Sequence, residues 1–482
     1  MLDQLTELSA VALARLIKAR RVSPVEVLEA YRTRIERVNP ALNAIITLDP
    51  GLLDRAQEAE AALNRNDVSG PLHGVPLTIK DTIETAQLRT TSGSRIRADY
   101  VPSKDATAVA RLKRAGAIIL GKTNTSEMAI PYETDNPVFG RTNNPYDLRR
   151  TSGGSSGGEA AAIAACLSPA GLGSDLSGSI RVPSHFCGIV GLRPTSGLIP
   201  MDGHFPAIIE HLAFGACLGP MARRIEDLSL LLNVLVGEES ITTTAPKQGD
   251  KLRGCRVGWY EGDGVAPITA ETKLAVHAAV EALKDAGLET VAERPPAVEF
   301  GLRLWIDLFS RASTEQVRRY YRGKEAEAGP LVQKIIDSAI PVKLETQDEN
   351  RRALKERDSL RQELLEWLEA VPLILAPVGS TPAFYHGAQR LELAGESVGV
   401  FRAFSYSQTF NVFDLPSVVV PAGQSAEGLP IGVQIVGRPF SERAILAAAA
   451  IVEEALGGWQ PPAGCSSPTV KEGQGGADRR PP

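Results

Sequence analysis

The chain has 482 residues, 43% of them hydrophobic, and its 52 Lys and Arg against 57 Asp and Glu give a formal net charge of −5. That apolar share fills a substantial core and excludes a disordered polymer. Neither a basic stripe with interleaved aromatics nor an apolar run near the ~20 residues of a membrane span is present, which argues against nucleic-acid and membrane partners.

Residues 1–20 carry Asp3, Glu7, Arg15 and Lys18 where a signal peptide would have its apolar region, so none is expected. The first 40 residues read as two helices. Ser23-Pro-Val-Glu26 is a capping box with Pro24 at the first helical position, and Val27, Leu28, Tyr31 and Ile35 repeat at helical spacing until Asn39-Pro40, the expected stop. Residues 75–79 are the first strand candidate and 117–120 the next, after a helix at 107–115. A short Ala-rich helix is expected at 159–167, an amphipathic one at 225–236, a strand within 251–259, a helix at 272–286 ended by Gly287, and a strand at 289–292. Stretches 302–322 and 345–369 read as long charged helices forming a lobe or lid. Strand candidates at 373–377, 417–421 and 431–436 precede a last helix at 441–456. From 457 the chain is rich in Pro, Gly, Ser and charge, and 461–482 is expected to be a disordered tail. Such alternation predicts an α/β fold with helices on the faces of a sheet.

Three motifs bear on chemistry. Gly116-Ala-Ile-Ile-Leu-Gly121-Lys122-Thr123 fits the P-loop pattern, but a phosphate cradle needs a loop followed by a helix, and residues 117–120 read as a buried strand. Gly153-Gly-Ser155-Ser-Gly157 fits the hydrolase nucleophile elbow. That motif needs a preceding strand and a His–acid pair, whereas 146–152 is a polar loop and none of the six histidines stands in a telling setting. The third reading joins both Gly-flanked serines to a lysine. In Gly173-Ser-Asp-Leu-Ser-Gly-Ser179-Ile-Arg181, small residues let the N–H groups of Leu176, Ser177, Gly178 and Ser179 converge on one oxygen, an oxyanion cradle worth ~10²–10³ in rate per donor. Lys80 follows the apolar run 75–79, where burial would lower its pKa from about 10.4 toward the range of a working base. Asp81 would oppose that shift and is expected to point away. Together these suggest nucleophilic catalysis without histidine.

The chain resembles the amidase signature family. The segments that carry the resemblance are GPLHGVPLTIKD around Lys80, GAIILGKTNTSEMA, GGSSGGEAAAIAACL, GSDLSGSIRVPSHFCGIVGLRPTSG and LPIGVQIVGRPFSE. It spans about 5–456 and is densest over 70–221. The resemblance implies a large central mixed twisted β-sheet covered by helices on both faces. It also implies one domain over 1–460: a helical N-terminal segment 1–65, a catalytic core 66–237, and a C-terminal part 251–456 with a helical substrate-side region at about 302–369. By the same resemblance Ser179 is the nucleophile, Lys80 the base, and Ser155 a bridging serine after a cis 154–155 peptide bond, with no metal or cofactor. Ser156, Asp175 and Arg181 are expected to hold the loops. Ser177 and Ser184 depart from the Gly and Ala common in the family.

The expected activity is hydrolysis of carboxylic amides. Alternatives are a carbamate or urethane hydrolase, the glutaminase subunit of a tRNA-dependent amidotransferase, and a non-catalytic binding protein. Against the second of these, Ser177 and Val182 stand where such subunits carry Gly and Gln. Candidate substrate contacts are Ala129, Ile130, Tyr132 and Phe205, with Ile208, Trp305, Phe309, Tyr385 and Phe404 in neighbouring segments. A small-molecule substrate and, as a homodimer, a second copy of the chain are the partners in view. The five cysteines, odd in number and without a C-x-x-C pair, predict no disulfide framework or zinc site and suit a reducing cytoplasm. Cys187 is expected to be dispensable.

Overall fold

Ser23 caps the helix Pro24–Leu42 in both directions: its hydroxyl accepts from Glu26 N at 3.1 Å, and the Glu26 carboxylate accepts from Ser23 N at 2.7 Å. In the computed structural model, which describes residues 2–130, 132–209, 212–237, 252–338 and 347–463, two helices rather than one precede it, Leu2–Glu7 and Ala10–Lys18. The helix also runs through Pro40 instead of stopping there. Pro40 lies in the last turn, where its missing N–H removes a single bond near the helix end, and Asn43 closes the helix at φ 54 with its N–H on Asn39 O. A strand the sequence did not lead us to expect, β1 (Ile45–Leu48), interrupts the otherwise helical segment 1–65.

Twelve further strands follow among the described residues: β2 (Pro76–Lys80), β3 (Ile118–Thr123), β4 (Ala170–Asp175), β5 (Val190–Arg193), β6 (Cys217–Ala222), β7 (Arg256–Trp259), β8 (Glu289–Ala292), β9 (Leu373–Pro377), β10 (Arg390–Leu393), β11 (Glu396–Gly399), β12 (Ser417–Gln424) and β13 (Pro430–Gly437). Eleven of the strands form one sheet in the order β1-β3-β2-β4-β6-β5-β12-β13-β9-β7-β8, and β10–β11 is a separate hairpin. The sheet is mixed: β2 runs parallel to β3 and β4, β7 parallel to β8 and β9, and the remaining neighbours are antiparallel. The strand, helix and strand expected between 251 and 292 form a parallel crossover, β7–helix Ala270–Asp285–β8.

Central strands are buried on both faces, which is why β2, β3, β4 and β9 read as unbroken buried runs. Side-chain alternation along β12 makes the point: Val418 and Val420 join one apolar cluster, and Val419 joins the other. The first cluster lies under the helices Ala10–Lys18, Ile225–Val236, Ala270–Asp285 and Glu442–Leu456. The second gathers Phe186, Phe309, Phe404 and Phe410. The P-loop stretch is the buried strand β3, with Lys122 Nζ bonded to Ile83 O and to the hydroxyls of Thr85 and Thr90. No helix among the described residues is long and apolar enough to cross a membrane. Most of the expected tail, 464–482, lies outside the described residues. Its described approach is anchored, since Trp459 is 7% exposed and donates its indole N–H to Ala164 O at 3.2 Å.

Candidate active site

Parallel pairing of β2 with β4, in register Thr78↔Gly171 and Ile79↔Leu172, brings the C-terminal ends of both strands together, so Lys80 stands beside Ser174 and Asp175. The helix Gly157–Ala164 starts directly after Ser155-Ser156. Glycine is needed there because a Cβ on Gly158 would run into the backbone N and O of Asn124. The 154–155 peptide bond is cis, as the family resemblance implies.

Lys80 Nζ lies 2.6 Å from Ser155 Oγ and 3.0 Å from Ser174 Oγ. Ser155 and Ser179 line one cavity, and the Ser156 N–H donates to Ser179 O at 3.2 Å, which ties the two serine loops together. The Ser179 hydroxyl makes no hydrogen bond to Ser155 or another partner among the described residues and faces the cavity; such contacts commonly close when substrate binds. Lys80 is fully buried, and burial pushes its pKa down to about 7, against a partial upward pull from Asp175 and Glu159. Asp81 does point away: its carboxylate accepts from Thr91 N at 3.0 Å and Thr91 Oγ1 at 2.5 Å.

Asp175 and Arg181 are fully buried and organise the loop between them. Arg181 Nε and Nη2 each lie 3.1 Å from the Asp175 carboxylate, which also accepts from Asn411 Nδ2 at 2.9 Å and Ile180 N at 3.1 Å. Burial alone would raise the Asp175 pKa, but the Arg181 guanidinium and these bonds hold it well below the usual carboxylate range. Ser156 Oγ donates to Ser174 O at 3.3 Å. One cradle residue needs correction. Gly178 N–H donates to Asp175 Oδ1 at 2.8 Å, so it is already spent, and the amides of Leu176, Ser177 and Ser179 remain as candidate oxyanion donors.

The cavity holds about 680 Å³ of empty space, counting the part open to solvent. Ala129 and Ile130 line it as expected, beside Met128, Met201, Ile208 and Trp305. Tyr132 and Phe205 do not. Tyr132 is 5% exposed and donates its hydroxyl to Ser177 O at 2.6 Å, while Phe205 packs at a tilt against Tyr320 and leaves the wall to its neighbour Pro206. Phe309 and Phe404 are core, and Tyr385 lies over Arg150 at the surface. From the expected helical region, residues 305–317 reach the wall through Trp305, Ser313, Gln316 and Val317, whereas the helix Gln347–Ala370 sends Leu364 and Leu368 into the core.

Three polar groups were missed. Glu159, buried in the first turn of the Ala-rich helix, bonds the hydroxyls of Thr78 and Thr123, and burial raises its pKa to about 7. Ser174 lies between the two motif serines and meets Lys80 only through the pairing of β4 with β2. His204 lines the cavity with Nδ1 2.8 Å from Pro206 O and Nε2 3.0 Å from Ser174 Oγ. A carbonyl can only accept, so Nδ1 carries the proton and Nε2 accepts from Ser174. Ser174 must then accept from Lys80, which leaves the lysine lone pair for Ser155. Burial lowers the His204 pKa to about 4, so this polarity persists at neutral pH. Cys187 is buried, its Sγ directed at Ser152 O and its thiol pKa raised by burial. Cys187→Ala should therefore keep at least about half of the activity, measured as kcat/KM. Complete loss without unfolding would restore thiol chemistry to consideration.

The Amidase family model matches residues 26–446. A glutamyl-tRNA(Gln) amidotransferase chain of Carboxydothermus hydrogenoformans is 34% identical over 94% of this chain and 98% of its own. Human fatty-acid amide hydrolase 2 is 33% identical over 95% of this chain and 90% of its own. A solved bacterial aryl acylamidase of the amidase signature family superposes with TM-score 0.81 at 26% identity, covering 93% of this chain and 96% of that one.

Proposed function

The chain belongs to the amidase signature family, hydrolases of C–N bonds, and we propose that it is a single-domain amidohydrolase that cleaves carboxylic amides through an acyl-enzyme on Ser179. The observation that carries this reading is the 2.6 Å contact between Ser155 Oγ and a fully buried Lys80 whose pKa is brought to about 7. A lysine of that pKa is substantially neutral at physiological pH and has a lone pair to offer.

In the proposed reaction Ser179 Oγ bonds to the carbonyl carbon while its proton passes to Ser155, and the Ser155 proton passes to Lys80. The carbonyl π pair moves onto oxygen and is held by the amides of Leu176, Ser177 and Ser179. When the C–N bond breaks, the proton returns from Lys80 through Ser155 to the leaving nitrogen. Water then adds to the acyl-enzyme by the same relay, releasing the acid and restoring the Ser179 hydroxyl. Ser155→Ala interrupts the relay but leaves a gap a water can fill, so its kcat should fall about 10²–10³-fold, less than for loss of the nucleophile or base. An unchanged kcat would remove Ser155 from the mechanism.

The amidotransferase relatives favour a second reading, in which the amide nitrogen is passed to a partner protein. Ser177 and the buried Val182 count against it, because the family resemblance implies Gly and Gln there in such glutaminases. One experiment separates the readings and also tests carbamate cleavage. The purified protein is assayed against short acyl amides, anilides, dipeptide amides, aryl carbamates and glutamine, with fluorophosphonate labelling mapped by mass spectrometry. Turnover of amides or anilides with label on Ser179 is the expected result. Turnover of glutamine alone favours the amidotransferase reading, and no turnover or label overturns the enzyme reading. We expect the activity in the cytoplasm, where Cys166, Cys187 and Cys217 stay as thiols.

A further inference from the structure

Aiming an oxyanion hole means fixing peptide planes, because in a trans peptide the C=O and the following N–H point in opposite directions. The planes around Ser179 are held in different ways. Ser177–Gly178 is held at both ends, by Tyr132 Oη on Ser177 O at 2.6 Å and by Asp175 on Gly178 N at 2.8 Å. Tyr132 is itself held by Gln408 Nε2 at 2.8 Å. Gly178–Ser179 is held by the Val182 N–H on Gly178 O at 2.7 Å. The Leu176–Ser177 plane, whose N–H is one of the three candidate donors, is held by Trp305, which donates its indole N–H to Leu176 O at 3.0 Å.

Trp305 comes from a different part of the molecule, the helical segment on the substrate side. It ends the helix Gly301–Trp305 and is followed at once by a π-helical turn, Ile306–Ser310, an element that often accompanies functional sites. Its ring is 7% exposed, lies 4.8 Å from the Phe401 ring and meets Phe309 edge-on. Gly301 presses so closely on Thr409 that a Cβ would collide with it, so the helix bearing the indole is seated firmly against the helix Ser405–Val412. The same indole also lines the cavity.

We propose that Trp305 is a positioning residue for the oxyanion hole: by holding Leu176 O it aims the Ser177 N–H at the substrate oxygen, so acylation of Ser179 depends on docking of the 301–321 helical segment. This rests on the reading of Ser179 as nucleophile and extends it. A substrate group that pushes the indole aside would be bound yet turned over slowly, which makes Trp305 a point where substrate shape is converted into rate.

The test compares two ligands of one shape on the intact protein. A trifluoromethyl ketone adds Ser179 Oγ to its carbonyl carbon, the hydroxyl proton going to Lys80 through Ser155, and forms an oxyanion; the matching trifluoromethyl carbinol cannot. Trp305→Phe keeps an aromatic ring at the position and removes the N–H together with the pyrrole half of the indole. Its kcat on an anilide should fall about 10–100-fold with KM within about 3-fold, and ketone affinity should fall by the same factor as kcat while carbinol affinity, like KM, changes by no more than about 3-fold. Unchanged kcat and ketone affinity would overturn the proposal, as would equal weakening of ketone and carbinol, the mark of a purely structural role. If Trp305→Phe does not fold, replacing the indole at 305 by a benzothiophene removes the N–H alone, and the same outcomes apply. A native protein that binds ketone no tighter than carbinol would instead refute the Ser179 reading, and this proposal with it.

Discussion

Ser179→Ala is expected to lower kcat by roughly 10⁴–10⁶-fold while leaving the fold intact. Position 179 is the point where the loop after β4 faces the cavity, and Ser179 is 5% exposed with its hydroxyl unpaired among the described residues. Removing that hydroxyl therefore strands no buried partner, and the loop keeps its Asp175, Arg181 and Asn411 bonds. Thermal unfolding should shift by no more than a few degrees. Residual activity above about 1% of the native protein's would mean that another group attacks the substrate.

Lys80→Met is the second large effect, and it has two faces. Activity should drop by about 10³–10⁵-fold, because no other base touches Ser155 among the described residues. In the native protein kcat/KM should rise with pH through about 7, where Lys80 gives up its proton, and then level off; in the variant that rise should be missing. Stability should move the other way. An ordinary lysine titrates near 10.5 and Lys80 near 7, so between those values the unfolded chain binds the extra proton and the native protein gains stability as pH is raised. The melting temperature of the variant relative to native should therefore be highest near pH 7 and decline steadily toward pH 10.5. A pH-independent difference would show that Lys80 is not held neutral.

Parts of the site were legible in the sequence because they depend on local chemistry. Ser155 and Ser179 stand among glycines that permit close backbone approach, and Lys80 ends an apolar strand, so both surroundings can be read in one dimension. Ser174 and His204 could not be read in that way. The register of β2 against β4 and the return of the 201–206 loop bring them to Lys80, and neither is encoded in the residues beside them. Gly178 was misassigned for a similar reason: four consecutive amides look equivalent in sequence, and only the position of Asp175 decides which is already bonded. Tyr132 stands in the segment expected to contact substrate, whereas its hydroxyl is used to hold a carbonyl, a partner that only the fold brings to it. In the fold, strong apolar runs and caps gave β2, β3, β9 and most helices. The edge strand β1 escaped because four residues with one exposed end make too short a pattern.

The strand order has a consequence for the growing polypeptide. β5 ends at residue 193, yet one of its two neighbours in the sheet, β12, begins at Ser417. On the ribosome the first half of the sheet must therefore wait with an open apolar edge until more than two hundred further residues have emerged. A waiting edge of that kind is where chains stick to one another. Yield in a heterologous host should accordingly respond to slower translation and added chaperone.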